Sequence, residues 1–575
     1  MTYLVNDPKS FAADSLGGFV AAFPDDVAAV HGGVVRATAS PHGQVSVVVG
    51  GGSGHYPAFA GWVGPGMAHG AVCGNIFASP AGGQVASVVR AADNGGGTLL
   101  LFGNYAGDCL QFGKAAADLG REGLDARIVA ISDDIASRDP AHHGERRGIA
   151  GDLFVVKVAG AAAEEGMGLD DVERLARYAN DRARSLGVAF TGCTLPGADE
   201  PLFSVPEGQM AIGLGIHGET GIAQAPLGTA REVAGLLVDK VLAEEPQRGA
   251  DYGGHVAVLL NGLGSTKYEE LFVLFAAVTD LLTAHGLTAV HPVVGEQVTS
   301  LDMAGASLSV MFLDDDLERL WTAPADTPAY HIGAVAGRAR REVRETVAAA
   351  AIPAGSPESA AQGVRALAAL RAMAEEARAV EVDLGRLDAV AGDGDHGQGI
   401  VLGTSAALAA AEEAVSAGAG VATVFGLAGS AWSEGAGGTS GALWGEALTA
   451  FGRALSDAGA ADENALAAAA IGAARRFEEV GGARPGDKTM VDATHPFAEA
   501  LAAETAAGAA LQVAWAHAVR AADEGARRTA DLVARKGRAR THGMSSLGHP
   551  DPGAVSFVLL TRAVAAVLGV PVGAE

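Results

Sequence analysis

Short runs of β-branched residues alternate with helical stretches in the first third of the chain. The runs Val45 to Val49, Thr98 to Phe102 and Arg127 to Ile131 each end in a cluster of glycine or aspartate. This alternation is typical of an α/β unit, in which ligands gather at the carboxyl ends of the strands. The segments GGGSGHYP and GNYAGD follow two of these runs, so they place polar residues at the predicted ligand-binding ends.

A second α/β unit is predicted to begin near residue 190. Its apolar runs are His255 to Leu260, Ala289 to Val294 and Leu308 to Leu313, and a helical stretch covers Tyr268 to Phe275. These two units together form the predicted N-terminal domain, residues 1–333, with subdomains at about 1–189 and 190–333.

The composition changes after residue 333. A charged helical piece ends in Pro, Gly and Ser, which is typical of an interdomain linker, and we assign residues 334–357 to it. Beyond the linker, Val364, Leu367 and Leu370 repeat at helical spacing, and alanine-rich helical segments continue to the end. Residues 358–575 are therefore predicted to form an all-α domain.

Charge and cysteine content narrow the class of protein. The chain of 575 residues has 40 Lys+Arg against 67 Asp+Glu, a net charge of -27, which argues against nucleic acid or an anionic membrane as a partner. Its three cysteines form no C-x-x-C pair, and no apolar run is long enough to span a membrane. We expect a cytoplasmic protein that binds neither a membrane nor nucleic acid.

The segment LDAVAGDGDHG brings three carboxylates close together, those of Asp388, Asp393 and Asp395. Carboxylate oxygens are the ligands that Mg²⁺ prefers, and the intervening glycines allow several of them to converge. An acidic, glycine-rich turn on a solvated surface is the alternative interpretation. A calcium loop of the helix-loop-helix kind is disfavoured because the required Glu six residues after the glycine is missing.

Four further glycine, serine or proline turns separate the C-terminal helices. They are GGTSGALWG, PGDKTMVDATHPF, ARKGRA and GHPDPGA. Helix N-termini after such turns present backbone N–H groups and a positive dipole, so together they could hold a polyphosphate, with Arg538 binding its oxygens. Ordinary helix connections remain the alternative. The P-loop pattern is absent from the sequence.

Three isolated polar residues interrupt the apolar pattern of the N-terminal domain. They are His55 in GGGSGHYP, Asp108 in GNYAGD and His217 in GLGIHGETG. A histidine and an aspartate at strand ends can serve as an acid/base pair near neutral pH. A buried histidine that only completes core hydrogen bonds is the alternative for either one.

Taken in order, these segments resemble the single-chain, ATP-dependent dihydroxyacetone kinase family. GGGSGH, NYAGD, GIHGETGI, TSLDMAG, the LDAVAGDGDHG loop, GGTSG, GDKTM and DPGA are similar to family motifs and occur in the family's order. The resemblance implies a K-type ketose-binding domain followed by an L-type nucleotide domain built as a barrel of antiparallel helices.

The resemblance also implies roles for the polar residues of the first domain. His217 matches the histidine that adds to the substrate carbonyl to give a hemiaminal, which selects ketones or aldehydes over simple polyols. His55 matches the general base for the terminal hydroxyl, and Asp108 the second acid/base and substrate-binding residue. Gly52, Ser53 and Gly54 match ketose contacts.

In the second domain, the resemblance implies a site for ATP with Mg²⁺. Asp388, Asp393 and Asp395 match ligands of a pair of Mg²⁺ ions that bridge the ATP phosphates. The implied nucleotide contacts are His396, Gly397, Gln398, Gly399, Thr439, Ser440, Gly481, Met490, Arg538, Asp551, Pro552 and Gly553.

Three positions depart from the family pattern. Gly103 stands where dihydroxyacetone enzymes commonly have lysine, Tyr56 follows His55 where they have glutamate, and Ser545 replaces an arginine. Loss of the cation at residue 103 creates room, and the aromatic ring of Tyr56 adds a wall. We therefore expect Gly103 and Tyr56 to line the ketose pocket and a tetrulose such as erythrulose to be the favoured substrate.

The expected activity is transfer of a phosphoryl group from ATP to a terminal hydroxyl of a short-chain ketose. Dihydroxyacetone kinase proper is the first alternative, and a non-catalytic ketose-sensing regulatory protein is the second. A phosphotransferase-system version with bound ADP and a lyase that releases AMP from FAD are further family variants. Acceptor and donor lie on different domains, so they meet within one chain or across a dimer, and we expect a homodimer.

Overall fold

The computed structural model describes residues 3–219, 221–249, 252–333, 351–390, 394–436, 438–536, 544 and 546–570. Within it the chain divides into two compact units, Met1–Arg340 and Arg341–Glu575. The predicted linker falls largely outside the described residues. The bounds of the two predicted domains therefore remain a prediction.

The first unit contains a six-stranded sheet that carries the predicted strand runs. Its order is β1-β2-β4-β3-β5-β6; β4, β3, β5 and β6 are parallel, and β1 and β2 are antiparallel additions at one edge. The strands are β1 Val27–Val30, β2 Gly33–Arg36, β3 Ser46–Ser53, β4 Gly70–Ile76, β5 Thr98–Gly103 and β6 Ala126–Ile131.

A second, seven-stranded sheet lies in the same unit, and most of its pairs are antiparallel. Its order is β11-β10-β13-β7-β8-β9, with β12 paired to β10. The strands are β7 Ala183–Ala189, β8 Gln209–Ile212, β9 Ala223–Pro226, β10 His255–Gly262, β11 Thr288–Ala289, β12 Val293–Gly295 and β13 Gly305–Leu313. Because β7 pairs with β13, the strands of this sheet begin at residue 183, and the subdomain bounds near residue 190 remain a prediction.

Helices cover the faces of the two sheets. Valines and aromatic residues of α2 and α3 pack on one face of the first sheet, α4, α5 and α8 pack between the sheets, and α6 and α7 pack on the second. The helices are α1 Phe11–Ala22, α2 Gly82–Ala92, α3 Ala106–Arg121, α4 Asp152–Glu164, α5 Leu169–Arg182, α6 Ala230–Leu242, α7 Tyr268–Ala284 and α8 Asp315–Thr322. A small hairpin of β14 Ala325–Asp326 and β15 His331–Ile332 follows.

The second unit is helical throughout its described part, as the alanine-rich pattern predicts. Each of its eight described helices packs on the next in sequence, and the last packs on the first, so the helices form a closed ring. They are α9 Pro357–Asp388, α10 His396–Ser416, α11 Val421–Ala436, α12 Gly438–Arg453, α13 Glu463–Gly481, α14 Val491–Ala506, α15 Leu511–Arg528 and α16 Pro552–Val567.

Small residues let these helices approach closely around an aromatic centre. Many of the buried positions are alanines. Trp432 and Trp444 stack with ring centroids 4.9 Å apart, and Phe477 and Phe557 pack edge-on or tilted against Trp444. The barrel is therefore filled by a few large rings set among short side chains.

Candidate active site

His217 lies in the glycine-rich turn between β8 and β9, where Glu219 holds it at two points. The backbone N–H of His217 donates to Glu219 Oε2 over 3.0 Å, and ring Nδ1 lies 3.1 Å from Glu219 Oε1. Burial alone would raise the pKa of Glu219, but the hydrogen bond and charge of His217 lower it to about 2. Glu219 is therefore an ionised carboxylate that fixes the orientation of the His217 ring.

His55 follows β3 and meets His217 from the first sheet. Its Nε2 lies 3.0 Å from Nε2 of His217, and its Nδ1 lies 2.8 Å from the carbonyl oxygen of Thr299. The ring is almost completely buried, and burial, with a smaller contribution from His217, lowers the pKa of His55 to about 3. His55 is therefore a neutral imidazole, as a general base must be before it accepts a proton.

Aromatic rings enclose the two histidines. Phe77 stacks on His55 with ring centroids 5.0 Å apart, and Tyr105 meets His217 edge-on at 4.7 Å. Phe77 has a positive φ of 54°, unusual for a residue with a side chain, and this backbone places its ring against His55. These contacts bury His55 almost completely, whereas 23 % of the His217 side chain stays exposed.

Asp108 lies in the first turn of α3, directly after β5 and Tyr105. Its Oδ2 accepts a hydrogen bond of 2.9 Å from Ser79, whereas its buried Oδ1 has no partner among the described residues. Burial raises its pKa, and the hydrogen bond from Ser79 opposes this effect. A buried carboxyl with one unused oxygen is suited to accept a substrate hydroxyl.

Gly52 and Ser53 are the last residues of β3, and Gly54 follows them. Ser53 donates its hydroxyl hydrogen to the carbonyl oxygen of Gly74 over 2.6 Å, so that hydrogen is committed to the fold. At Gly52 an added Cβ would lie 2.7 Å from the backbone nitrogen of Ala78, and Gly54 has φ of +104°. Both positions therefore require glycine for a close approach or a left-handed backbone.

The two residues that we expected to shape the ketose pocket have different surroundings. The ring of Tyr56 packs against Phe19 of α1, with centroids 5.8 Å apart, whereas the rings around His217 are those of His55, Phe77 and Tyr105. Gly103 is buried at the end of β5, and an added Cβ would lie 3.2 Å from both the Gly148 carbonyl oxygen and the Tyr105 ring. The space beside Gly103 is therefore already filled by its neighbours.

The second unit contains a cavity of about 410 Å³ at one end of its helices. Residues at the starts of α10, α12, α14 and α16 line it, so four helix N-termini face one space. Their N–H groups and dipoles favour an anion there, as the glycine and proline turns predicted. Asp551 caps α16 by accepting from the Ala554 backbone over 2.8 Å, and burial raises the pKa of this carboxyl to about 7.

Nearly all of the predicted nucleotide contacts line this cavity. Arg538 and Ser545 lie outside the described residues. Gly397 is not in the cavity lining; it packs against α9, where an added Cβ would be 2.0 Å from the Glu381 carbonyl oxygen. The predicted residues in the lining are His396, Gln398, Gly399, Thr439, Ser440, Gly481, Met490, Asp551, Pro552 and Gly553. His396 is buried and its Nε2 lies 2.9 Å from the Ser556 hydroxyl.

Two of the three predicted metal ligands line the same cavity. Asp388 ends α9 and accepts from the Gly394 backbone over 2.9 Å, and Asp395 precedes α10. Asp393 lies outside the described residues, among which no group of three candidate ligands is found. Carboxylates beside four helix N-termini fit Mg²⁺ with a polyphosphate, because the cation binds oxygens of both.

Lys488 is a residue of this site that we did not predict. Only 3 % of it is exposed, and its Nζ donates to the carbonyl oxygens of Leu532, Ser546 and His549 over 3.1, 2.5 and 2.9 Å. Burial lowers its pKa. An ammonium has three donors, so all of them are used to join the GDKTM turn to the segment before α16.

Family models and relatives match both units. A Dak1 domain matches residues 17–329 and a DAK2 domain matches residues 390–566. No described helix is both long and apolar enough to cross a membrane.

Relatives of known activity match over nearly the whole chain. L-erythrulose 1-kinase of Mycolicibacterium smegmatis is 56 % identical over 98 % of this chain and 99 % of its own. D-erythrulose kinase of the same organism is 52 % identical over 98 % of both chains. The crystal structure of the dihydroxyacetone kinase from C. freundii in complex with AMP-PNP and Mg²⁺ matches with 30 % identity and a TM-score of 0.58, over 98 % of this chain and 99 % of that one. The chain therefore belongs to the dihydroxyacetone kinase family, with a Dak1 domain and a DAK2 domain in one polypeptide.

Proposed function

We propose that this protein is an ATP-dependent kinase that phosphorylates a terminal hydroxyl of a short-chain ketose, with erythrulose favoured over dihydroxyacetone. Full-length identities of 56 % and 52 % to erythrulose kinases support the substrate. The observation that carries the proposal is the convergence of His55 and His217, with facing Nε2 atoms 3.0 Å apart. Covalent capture needs a nucleophile at the carbonyl, and phosphoryl transfer needs a base near the adjacent hydroxyl, so the two groups must lie close together.

On the ketose side, His217 Nε2 adds to the substrate carbonyl and holds the ketose as a hemiaminal. A simple polyol has no electrophilic carbon and is not captured. His55 then takes the proton of the terminal hydroxyl that attacks the phosphoryl group, and the free oxygen of Asp108 accepts a second substrate hydroxyl. Backbone of Gly52 and Gly54 completes the proposed binding loop.

On the nucleotide side, the N-termini of α10, α12, α14 and α16 bind the phosphates of ATP. Asp388, Asp393 and Asp395 hold Mg²⁺, and we propose two ions. Bound Mg²⁺ supplies charge neutralisation on the transferred phosphoryl group. The carboxylates and helix N-termini of this chain orient the donor, and Arg538 is the proposed additional phosphate ligand.

We also propose the domain bounds, the oligomeric state and the cellular location of the protein. The ketose-binding domain comprises residues 1–333 and the nucleotide domain residues 358–575, joined by residues 334–357. The working form is a homodimer in the cytoplasm. Sedimentation of the full chain at micromolar concentration tests the dimer, and a monomer mass with full activity contradicts it.

A coupled assay of ADP release tests the activity and the substrate together. MgATP is held at saturation, and kcat/KM is compared for D-erythrulose, L-erythrulose, dihydroxyacetone and glycerol. We expect one erythrulose enantiomer to give the highest value and glycerol to give none. If dihydroxyacetone gives the highest value, the protein is a dihydroxyacetone kinase; if no ketose releases ADP, the kinase proposal fails.

A further inference from the structure

An unbroken line of hydrogen bonds runs through the two histidines and joins two loops of the second sheet, with His55 of the first sheet between them. It starts at the Thr299 carbonyl oxygen, 2.8 Å from His55 Nδ1, and passes through the facing Nε2 atoms at 3.0 Å. It ends at Glu219, whose Oε1 lies 3.1 Å from His217 Nδ1. Both ends of the line are pure acceptors, a carbonyl and an ionised carboxylate.

The two acceptor ends determine how many protons the line holds. His55 must carry hydrogen on Nδ1 to donate to Thr299, and His217 must carry hydrogen on Nδ1 to donate to Glu219. Two neutral rings would then face each other with Nε2 lone pairs 3.0 Å apart, which is a repulsive contact. One further proton between these nitrogens turns that contact into a hydrogen bond.

The two rings differ in their surroundings. His55 is almost fully buried against Phe77, and burial lowers its pKa to about 3, so it does not hold a charge. His217 has an ionised carboxylate on its other nitrogen. The other ionisable groups near the pair are Asp108, whose raised pKa leaves it a weak counterion, and the phenol of Tyr105, whose pKa is raised well above its usual value.

Two more ionisable groups act on Glu219 itself. Arg147 donates to Asp134 over 2.9 Å and to the Gly213 carbonyl oxygen over 3.2 Å, and its charge favours ionised Glu219. Cys193 lies close enough to feel the Glu219 charge, and burial raises its pKa, so it stays a neutral thiol. Glu219 is thus the counterion of His217.

We infer that the ligand-free site stores one proton on His217, that Glu219 is the positioning residue which keeps it there, and that this proton is delivered to the substrate carbonyl oxygen during capture. This inference rests on the proposed function. In the step, the proton moves from His217 Nε2 to His55, the freed Nε2 lone pair forms the C–N bond, and the carbonyl π electrons move to oxygen. His55 then gives the proton to that oxygen, forming the hemiaminal hydroxyl.

The step conserves both atoms and charge. The positive charge starts on protonated His217 and ends on the carbon-substituted His217 ring, beside Glu219 throughout. His55 returns to its neutral form with a free Nε2 lone pair. Capture of the ketose therefore leaves His55 ready to act as the base for the terminal hydroxyl, without a proton from solvent.

The substitution Glu219→Gln separates this role from simple packing. Its amide oxygen can still accept from the His217 backbone, but its amide nitrogen donates to Nδ1. Neutral His217 then carries its hydrogen on Nε2 and donates it to His55, so every hydrogen bond is satisfied and no proton is stored. Transfer of this hydrogen to His55 would leave an imidazolate anion, whereas the same transfer in the parent leaves a neutral ring, so Nε2 of the variant has no accessible lone pair for attack.

The first measurement is the protonation of His217 in the ligand-free full chain with ¹⁵N-labelled histidine. Correlation spectra of the ring nitrogens at pH 7.5, assigned with His217→Ala, should show His217 with two hydrogens in the parent and with hydrogen only on Nε2 in Glu219→Gln. Glu232→Gln, in the exposed capping box of α6, is the matched control and should match the parent. A singly protonated His217 in the parent overturns the inference even if Glu219→Gln fails to fold.

The second measurement is ketose affinity and turnover. We expect Glu219→Gln to lower kcat/KM for the ketose by about 10²-fold or more, because the resting tautomer cannot attack. The KM for ATP should stay within twofold of the parent. An unchanged kcat/KM for the ketose overturns the inference.

Calorimetric titration of the parent with ketose, without nucleotide and in buffers of different ionisation enthalpy, counts the protons drawn from buffer. The number of protons taken up from buffer per bound ketose should be zero where spectra show His217 protonated and one at higher pH, where they show it neutral. A number that does not change across this pH range overturns the inference. If the parent phosphorylates no ketose, the proposed function fails, while the spectra of the free protein still report on the stored proton.

Discussion

The substitution Lys488→Met tests whether a buried ammonium organises the nucleotide cavity. Lys488 gives all three of its hydrogens to backbone carbonyls of residues 532, 546 and 549, and none is left for phosphate. Methionine fills a similar volume without donating a hydrogen bond. The variant therefore removes the three links between the GDKTM turn and the segment that leads into α16.

The size of the effect follows from those links. Hydrogen bonds to a charged group contribute about 1.5–3 kcal/mol each, so the gross loss is about 6 kcal/mol. About half of this loss is offset because the variant no longer has the desolvation cost of a buried ammonium. A net loss of about 3 kcal/mol corresponds to a fall of roughly 6–12 °C in the melting temperature of a unit of this size.

Nucleotide kinetics should respond more than ketose kinetics. In Lys488→Met the segment before α16 is loosened and must become ordered again when ATP binds. We therefore expect the KM for ATP to rise at least about tenfold, which corresponds to about 1.4 kcal/mol. The KM for the ketose should not change. Initial rates at varied ATP and saturating ketose measure this, together with thermal unfolding with and without MgATP.

The matched control is Lys240→Met, which removes an exposed lysine near the end of α6. It should change neither the melting temperature nor the KM for ATP. If Lys488→Met behaves like this control, Lys488 does not hold the cavity together, and the reasoning from its three carbonyl contacts is refuted.

Four further substitutions address other parts of the two sites. His217→Ala should raise the KM for the ketose strongly and leave nucleotide affinity intact; an unchanged ketose KM in steady-state assays would remove covalent capture. Asp388→Asn should lower kcat by about 10²-fold or more because a cation ligand is lost, and a kcat that is parental at every Mg²⁺ concentration would remove this residue from the metal site. Gly103→Ala should press on the Tyr105 ring and raise the ketose KM several-fold, whereas Gly113→Ala, with open space around it, should not. Asp551→Asn should make the second unit more stable by on the order of 2 kcal/mol at pH 8 in urea unfolding without nucleotide or metal. The folded-state pKa of Asp551 is raised to about 7, so ionisation of this carboxyl lowers the free energy of unfolding. This cost is zero below pH 4, grows between pH 4 and pH 7, and has its full size above pH 7. Asparagine has no such cost and caps a helix equally well. If the difference in unfolding free energy between Asp551→Asn and the parent does not grow between pH 4 and pH 7, the raised pKa of Asp551 is contradicted.

Strands in the middle of a sheet could be predicted from sequence because burial on both faces leaves continuous apolar runs. Four of the predicted runs correspond to β3, β5, β10 and β13, which are almost wholly buried. The other two correspond to β6, a partly buried strand at the edge of its sheet, and to the short strands β11 and β12. The edge strands β1 and β9 are short and half exposed, so their pattern does not differ from that of a loop. Which helix closes the ring in the second unit depends on packing between distant segments and leaves no local signal.

The site residues divide in the same way. His55, Asp108 and His217 could be found because each is polar at the end of an apolar run. Glu219 was missed although GIHGETG contains it, since a carboxylate two residues after a histidine gains meaning only when the turn folds both onto one ring. The substrate role of Ser53 comes from the family resemblance and stays a prediction; in the structure its hydroxyl donates to the Gly74 carbonyl oxygen. Hydrogen bonds that form only in the folded chain decide such cases, and residue spacing does not predict them.

The stacked indoles of the second unit give the protein an optical reporter. Trp432 lines the nucleotide cavity, and its partner Trp444 stacks on it at an interplanar angle of 18°. Two indoles at this separation couple their electronic transitions, so near-ultraviolet circular dichroism and emission respond when the surroundings of one ring change. Trp62 and Trp321 belong to the other unit and are fully buried there, and Trp515 of the second unit packs on Phe497 and is not in the cavity lining. Loading of the nucleotide cavity can therefore be followed by light alone, with no label and no turnover.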